Sequence, residues 1–209
     1  DYSGGLQTDL VVHHLNTLHY LMDETAPRSV VTYGGCYRWK RIYPEAEVPD
    51  VVNSLFEYPN FSYNVSLTLN SENQGFGTFL MGTKGTIQID EMKMTWFPED
   101  PLEDYGWIVN AWPEAQQREF IKQNNIVGLG QTWAPGTCRA PEKYEHYSII
   151  GDPTDLHVQN FVESVRSRKP SPEGAVQGHN SALGAHIANI SYKQSGRKVA
   201  WDGKKATVA

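Results

Sequence analysis

The sequence predicts an α+β fold: a largely antiparallel open β-sheet with helices packed on one face. Three observations predict it. An apolar stripe at helical spacing lies near the start, a run of short alternating segments joined by tight turns fills the middle, and two further helical stripes lie near the end. Short turns between successive strands leave no room for crossover helices, so neighbouring strands run antiparallel.

Residues 6–22 read as a helix. Val11, Leu15, Leu18 and Met22 recur on one side, Leu10 and Leu21 widen it, and Pro27 ends the segment. A short strand at 29–33 leads into Gly34-Gly35. Residues 51–58 and 61–69 flank Pro59-Asn60 and read as a hairpin. Its second arm alternates strictly, with Tyr63, Val65, Leu67 and Leu69 on one face and Ser62, Asn64, Ser66, Thr68 and Asn70 on the other. Strands at 76–81, 86–89 and 92–97 continue the series around a Gly82-Thr83-Lys84-Gly85 turn.

Residues 98–150 change character, with Trp107, Trp112, Trp133 and several Gly and Pro. They read as a variable insertion with one short helix at 114–123. The tryptophans suit either stacking on sugar faces or anchoring an irregular segment. Asp152-Pro153 then caps a helix with a Val158, Phe161, Val162, Val165 stripe. A second helix turns Val176, Leu183, Ile187 and Ile190 inward and stops at Gly196, and residues 198–201 form a closing strand.

The composition narrows the function classes. The chain has 209 residues, 39% hydrophobic and 20% charged, enough for an ordinary globular core. Its net charge of −6, with no basic run, argues against nucleic acid and against an anionic membrane surface. No stretch reaches the ~18 apolar residues of a membrane span. Cys36 and Cys138 suit two free thiols or one bridge, and the compartment stays open.

The first helix carries the chemistry-bearing pattern. At 100° per residue, Asp9, His13, Asn16 and Tyr20 share a narrow polar strip on a segment with no Lys or Glu from residue 6 to 22. Such a strip suits a polar cavity better than bulk water. A His four residues after an Asp can be oriented by the carboxylate, and an imidazole so placed can take a proton from an alcohol. Asn16, one turn on, can hold a neighbouring hydroxyl. The same pattern also suits a satisfied core histidine with Asp9 as a cap. His13, His14 and His19 do not share a face, and no HExxH or Cys-His spacing occurs, so no metal site is expected.

The run from Gly4 and Gly5 through Asp9, His13 and Asn16 resembles the opening of the C-terminal domain of the glucose–fructose oxidoreductase / inositol dehydrogenase (Gfo/Idh/MocA) family. Gly34-Gly35, the Gly82–Thr86 turn, His157 to Phe161 with Arg168 and Pro170, Gly178-His179 and Val199 to Asp202 follow in the family's order. The resemblance implies a single C-terminal substrate-binding and oligomerisation domain over 1–209, with 98–150 as insertion. It implies a dinucleotide-binding Rossmann domain lying outside this chain. It further implies NAD or NADP as cofactor of the intact protein, a sugar or cyclitol as substrate, and homo-oligomers formed through the free sheet face.

By the same resemblance His13 corresponds to the general acid/base and Asp9 to its supporting carboxylate. Asn16 stands where the family usually has Asp. Trp39 and Arg38, following Gly34-Gly35, are further substrate-binding candidates. No Rossmann fingerprint is present: Gly75-Phe76-Gly77 and Gly128-Leu129-Gly130 each lack a third glycine and a strand–turn–helix setting. Glu142-Lys143 is followed by Tyr144, not by the proline of the family's lysine motif. This chain alone is therefore expected to bind no dinucleotide tightly and to be inactive. Two other readings share the fold: a non-catalytic carbohydrate-binding or scaffold domain, and glycoside cleavage through a transient keto-sugar.

Overall fold

A computed structural model describes residues 3–71, 77–90, 93–98, 109, 111–123, 145–148 and 152–209. In chain order the elements are a π-helical turn (Gln7–Val11), α1 (Val12–Met22), β1 (Ser29–Gly35), α2 (Trp39–Ile42), β2 (Val51–Glu57) and β3 (Ser62–Thr68). Then come β4 (Thr78–Gly82), β5 (Gly85–Ile89), β6 (Lys93–Pro98), α3 (Glu114–Gln123) and β7 (Glu145–Ser148). The chain closes with α4 (Pro153–Ser167), α5 (Ala175–Lys193), β8 (Val199–Trp201) and β9 (Ala206–Val208). Two compact units form, Asp1–Gln74 with Thr154–Ala209, and Gly75–Pro153.

In the first unit the opening helix buries Val11, Leu15 and Leu18 of the stripe the spacing predicts, together with Leu6 just ahead of it. Leu21 and Met22 instead stay exposed in its last turn. The helix stops at Asp23, which takes a left-handed conformation (φ 52°), ahead of Pro27. Asp tolerates that conformation because its short polar side chain bonds locally, so the stop precedes the proline.

The sheet order is β3-β2-β1-β8-β9, with every pair antiparallel. β2 and β3 form the expected hairpin, closed by the Tyr58 N–H on the Phe61 carbonyl at 2.9 Å. Val30 and Thr32 of β1, Val52, Ser54 and Phe56 of β2, and Val65 of β3 form the buried face. Leu55 and Tyr33 alternate outward with the polar residues of β3.

α1 and α5 both pack against this unit's core, and α5 also covers β1. The buried face of α5 differs from the expected stripe. It is Ser181, Gly184, Ala185, Ile187, Ala188 and Ser191, whereas Val176 and Ile190 are exposed. Small residues win there because they let the helix approach closely. A Cβ on Gly184 would stand 2.7 Å from the Leu15 Cδ1. The apolar stripe of α4 is likewise exposed among the described residues, with Phe161 and Val165 on the surface.

The second unit holds a four-stranded antiparallel sheet, β4-β5-β6-β7. Gly82 pairs with Gly85 across the expected turn, and α3 spans the predicted short helix. β7, inside the stretch read as irregular, pairs with β6. Trp112 packs edge-on against Phe120 with centroids 5.2 Å apart, an anchoring contact. Trp107, Trp133, Cys138, Gly128-Leu129-Gly130, Glu142-Lys143 and Gly75-Phe76 lie outside the described residues. Among the described residues no helix is long and apolar enough to cross a membrane.

Candidate active site

The opening of the first helix is set by Gly5. Its φ of +63° is left-handed, and a Cβ there would meet Val48 Cγ1 at 2.2 Å. The Gly5 carbonyl then accepts the N–H groups of both Thr8 and Asp9 at 3.0 Å. The turn that follows is π-helical, a widened form often found at functional sites. Asp9 stands on this turn and His13 on the next, and both side chains are exposed. Neither makes a side-chain hydrogen bond among the described residues, so the Asp–His contact that the spacing allows is not formed. His14, half-buried beside them, titrates below the usual imidazole range, first because burial disfavours its charged form and second because of the neighbouring His13 charge.

Asn16, the third expected member of the strip, is tied into the scaffold. Its Oδ1 accepts the Ser181 hydroxyl at 2.9 Å and its Nδ2 donates to Glu173 Oε2 at 3.2 Å. Tyr20, the fourth, points to solvent.

A cleft of about 630 Å³ lies beside the π turn, walled by Gly5, Leu6, Asp9, Trp39, Tyr43 and Leu69 among others. The structure therefore brings Asp9 and Trp39 together in one cavity, while His13 and Asn16 are not part of its wall. Trp39 and Tyr43, one turn apart on and after α2, stack in an offset manner with centroids 6.2 Å apart and planes at 25°. Arg38 lies over the Trp39 ring, 5.7 Å from its centroid, and donates from Nη1 to the Leu69 carbonyl at 3.2 Å. It braces the rim.

The group that holds this wall is one that sequence reasoning did not single out. The fully buried Asp50 carboxylate accepts the backbone N–H groups of Tyr37, Arg38 and Trp39 at 2.9, 2.6 and 2.8 Å. Its own N–H donates to the Gly35 carbonyl, and its carbonyl accepts the Leu69 N–H. Burial pushes its pKa up, but the three backbone donors and the Asn70 side chain outweigh it and hold the carboxyl below its usual range. One residue thus joins the end of β1, the start of α2 and the end of β3.

A buried polar chain fixes the π turn to the sheet. Gln7 Nε2 donates to Ser54 Oγ at 2.6 Å, Ser54 pairs with Thr32 Oγ1 at 2.9 Å, and the Thr32 N–H donates to Ser191 Oγ at 2.9 Å. The Ser191 hydroxyl passes on to the Arg197 carbonyl at 2.7 Å. Gln7 is fully buried in the first unit, and its Oε1 lacks a partner among the described residues. Nearby, His19 Nε2 and the Tyr58 hydroxyl are 2.8 Å apart and buried. Burial lowers the His19 pKa and, together with the Glu24 charge, raises that of Tyr58.

A family model described as the oxidoreductase family, C-terminal alpha/beta domain, matches residues 1–200. The chain belongs to the Gfo/Idh/MocA oxidoreductase family, as its C-terminal domain. No curated protein matches it. Solved structures share its fold. The UDP-N-acetylglucosamine 3-dehydrogenase GnnA from Acidithiobacillus ferrooxidans aligns with a TM-score of 0.61 at 11% identity, over 91% of this chain and 49% of that one. The aldose-aldose oxidoreductase from Caulobacter crescentus aligns with a TM-score of 0.61 at 16% identity, over 95% and 48%. A probable dehydrogenase from Thermotoga maritima gives 0.53 at 14% identity, over 95% and 50%. The chain spans about half the length of these relatives.

Two features of this Gfo/Idh/MocA domain follow from its hydrogen bonds. The Asn16 amide matches its surroundings where the family usually has Asp, because a carboxylate there would face Glu173. The backbone N–H cluster after Gly34-Gly35, which resembles an anion cradle, is filled by Asp50. Among the described residues no group of three or more His, Cys, Asp or Glu could hold a metal ion.

Proposed function

We propose that this chain is the substrate-binding half of an NAD(P)-dependent oxidoreductase acting on a sugar or cyclitol hydroxyl, with His13 as general acid/base and Asp9 as its supporting carboxylate. One observation carries the reading. Asp9 stands on the wall of the cleft, His13 follows one turn along the same helix, and neither side chain is consumed by a hydrogen bond among the described residues. Polar side chains beside a cleft that the rest of the fold leaves unengaged are available to a ligand. The names of the structural neighbours agree: one is a UDP-sugar dehydrogenase, one an aldose oxidoreductase, and one, from Desulfitobacterium hafniense, is termed NADPH-dependent.

In this reading His13 takes the proton from the alcohol oxygen as the carbon is oxidised, and the Asp9 carboxylate one turn earlier on the same helix favours the protonated imidazole. Positioning contributes most of the acceleration and proton transfer about 10²–10⁴-fold of it. The nicotinamide supplies the hydride-accepting carbon, and its nucleotide is held by a part of the intact protein outside the described residues. The outward face of the sheet, with Tyr33 and Leu55 exposed beside the polar strip of β3, serves homo-oligomer formation.

His13→Ala in the full-length protein tests the assignment. Turnover is expected to fall at least 100-fold with cofactor binding unchanged. Unaltered turnover removes His13 from the chemistry.

A further inference from the structure

Resting on that reading, we infer that Gln7 is a positioning residue: its buried side chain holds the opening of the first helix in the π form, and through that turn sets the Asp9 carboxylate against the cleft. Two costs coincide at Gln7. The turn Gln7–Val11 closes with the Val12 N–H on the Gln7 carbonyl, five residues back, a form that fewer than about 1% of residues in globular proteins adopt. The Gln7 side chain is fully buried, yet its Oε1 has no partner among the described residues. A buried acceptor left unpaired opposes folding.

An apolar side chain of the same length would remove the second cost without creating another. Ser54 would keep its bond to Thr32, and the Thr32 N–H its bond to Ser191. The core therefore does not need Gln7, but the turn does. Among the described residues Gln7 is the one member of the turn whose side chain bonds another element. Thr8 returns to the Gly5 carbonyl, Asp9 makes no side-chain bond, and Leu10 and Val11 have no polar side-chain atoms. Ser54 and Thr32 pair across β2 and β1, so the Gln7 amide is fastened to a fixed point of the sheet.

Asp9 stands midway along the turn and on the cleft wall. A regular α-helical turn would stack the side chains at positions 9 and 13 within reach of each other. In the π form they make no hydrogen bond, and Asp9 lines the cleft. Groups that cost stability persist where function uses the geometry they impose.

The test is Gln7→Met in the full-length protein, with three readouts: the thermal midpoint, a crystal structure, and reduction of NAD⁺ or NADP⁺ with a panel of D-aldoses and cyclitols. The midpoint is expected to equal or exceed the parent's, because the unpaired acceptor is gone. The Val12 N–H is expected to move to the Thr8 carbonyl, the α-helical register, and the Asp9 carboxylate to leave the cleft wall. kcat is expected to fall about 10-fold or more, and no further in a His13→Ala background, because residues that act as one unit are not additive. A purely structural Gln7 would lower the midpoint and kcat together, and that result overturns the inference. So does a retained Val12–Gln7 bond, whatever the rate. His13→Ala turning over at the parent's rate removes the catalytic role alone. The crystal structure then decides the positional one: the α-helical register supports it and the retained bond overturns it.

Discussion

The Asp50 carboxylate and the backbone N–H of Trp39, eleven positions apart in the chain, lie within 2.8 Å, and this contact mounts the aromatic wall of the cleft on the sheet. With the Tyr37 and Arg38 donors it makes a three-fold clamp. Such clamps are sensitive to loss of one acceptor atom, because buried N–H groups are then left unpaired.

Asp50→Asn is accordingly expected to lower stability by roughly 1–3 kcal/mol at neutral pH. The pH dependence has a defined sign. The folded carboxyl titrates below its ordinary value of 3.8, so its stabilising contribution is complete above that value and is lost as pH falls through the folded-state value. Urea midpoints of parent and variant should therefore be well separated at pH 7 and converge toward pH 2. A constant separation would show that the carboxylate charge is not what holds the loop.

Asn16 makes a second prediction through Glu173, its neighbour at 3.2 Å. Asn16→Asp restores the family's usual residue but sets two carboxylates against each other. It should destabilise the protein at pH 7, less so at pH 4, and Glu173→Gln should rescue it. A double-mutant cycle in chemical denaturation reads the coupling. Independence of the two substitutions would mean that the Asn16–Glu173 contact carries no energy.

Much of this was legible in the sequence because it is periodic. The Val11, Leu15, Leu18 stripe and the alternation along β3 are local patterns, and burial follows them. The inner face of α5 was not legible. Its small residues carry little hydrophobic signal, and their value lies in the approach of Leu15 to Gly184. Likewise nothing at Asp50 or Gln7 announces a role. Gln7 meets Ser54, 47 residues away, and Thr32 meets Ser191, 159 away, so their partners appear only when the sheet and helices close. The polar strip split for the same reason. Asp9 reached the cleft, while Asn16 was claimed by Ser181 on a helix far along the chain.

The His19–Tyr58 pair predicts a pH effect of its own. Burial keeps the His19 pKa below 6.5, so the unfolded chain binds a proton that the folded protein resists. This contribution is complete above 6.5 and declines as pH falls below it, and His14 acts in the same direction. Denaturation midpoints should drop between pH 7.5 and 5. His19→Gln, which keeps a polar partner for Tyr58 without titrating, should make the drop shallower. A slope equal to the parent's would assign the effect elsewhere.

The catalytic role of His13 is the central claim, and the single-turnover rate of substrate oxidation in the full-length His13→Ala protein tests it most directly. The rate is expected to fall about 10²–10⁴-fold, with cofactor affinity unchanged and partial recovery on adding free imidazole. A rate within about three-fold of the parent, with no response to imidazole, is less than a 1 kcal/mol change in barrier. That result would contradict the account.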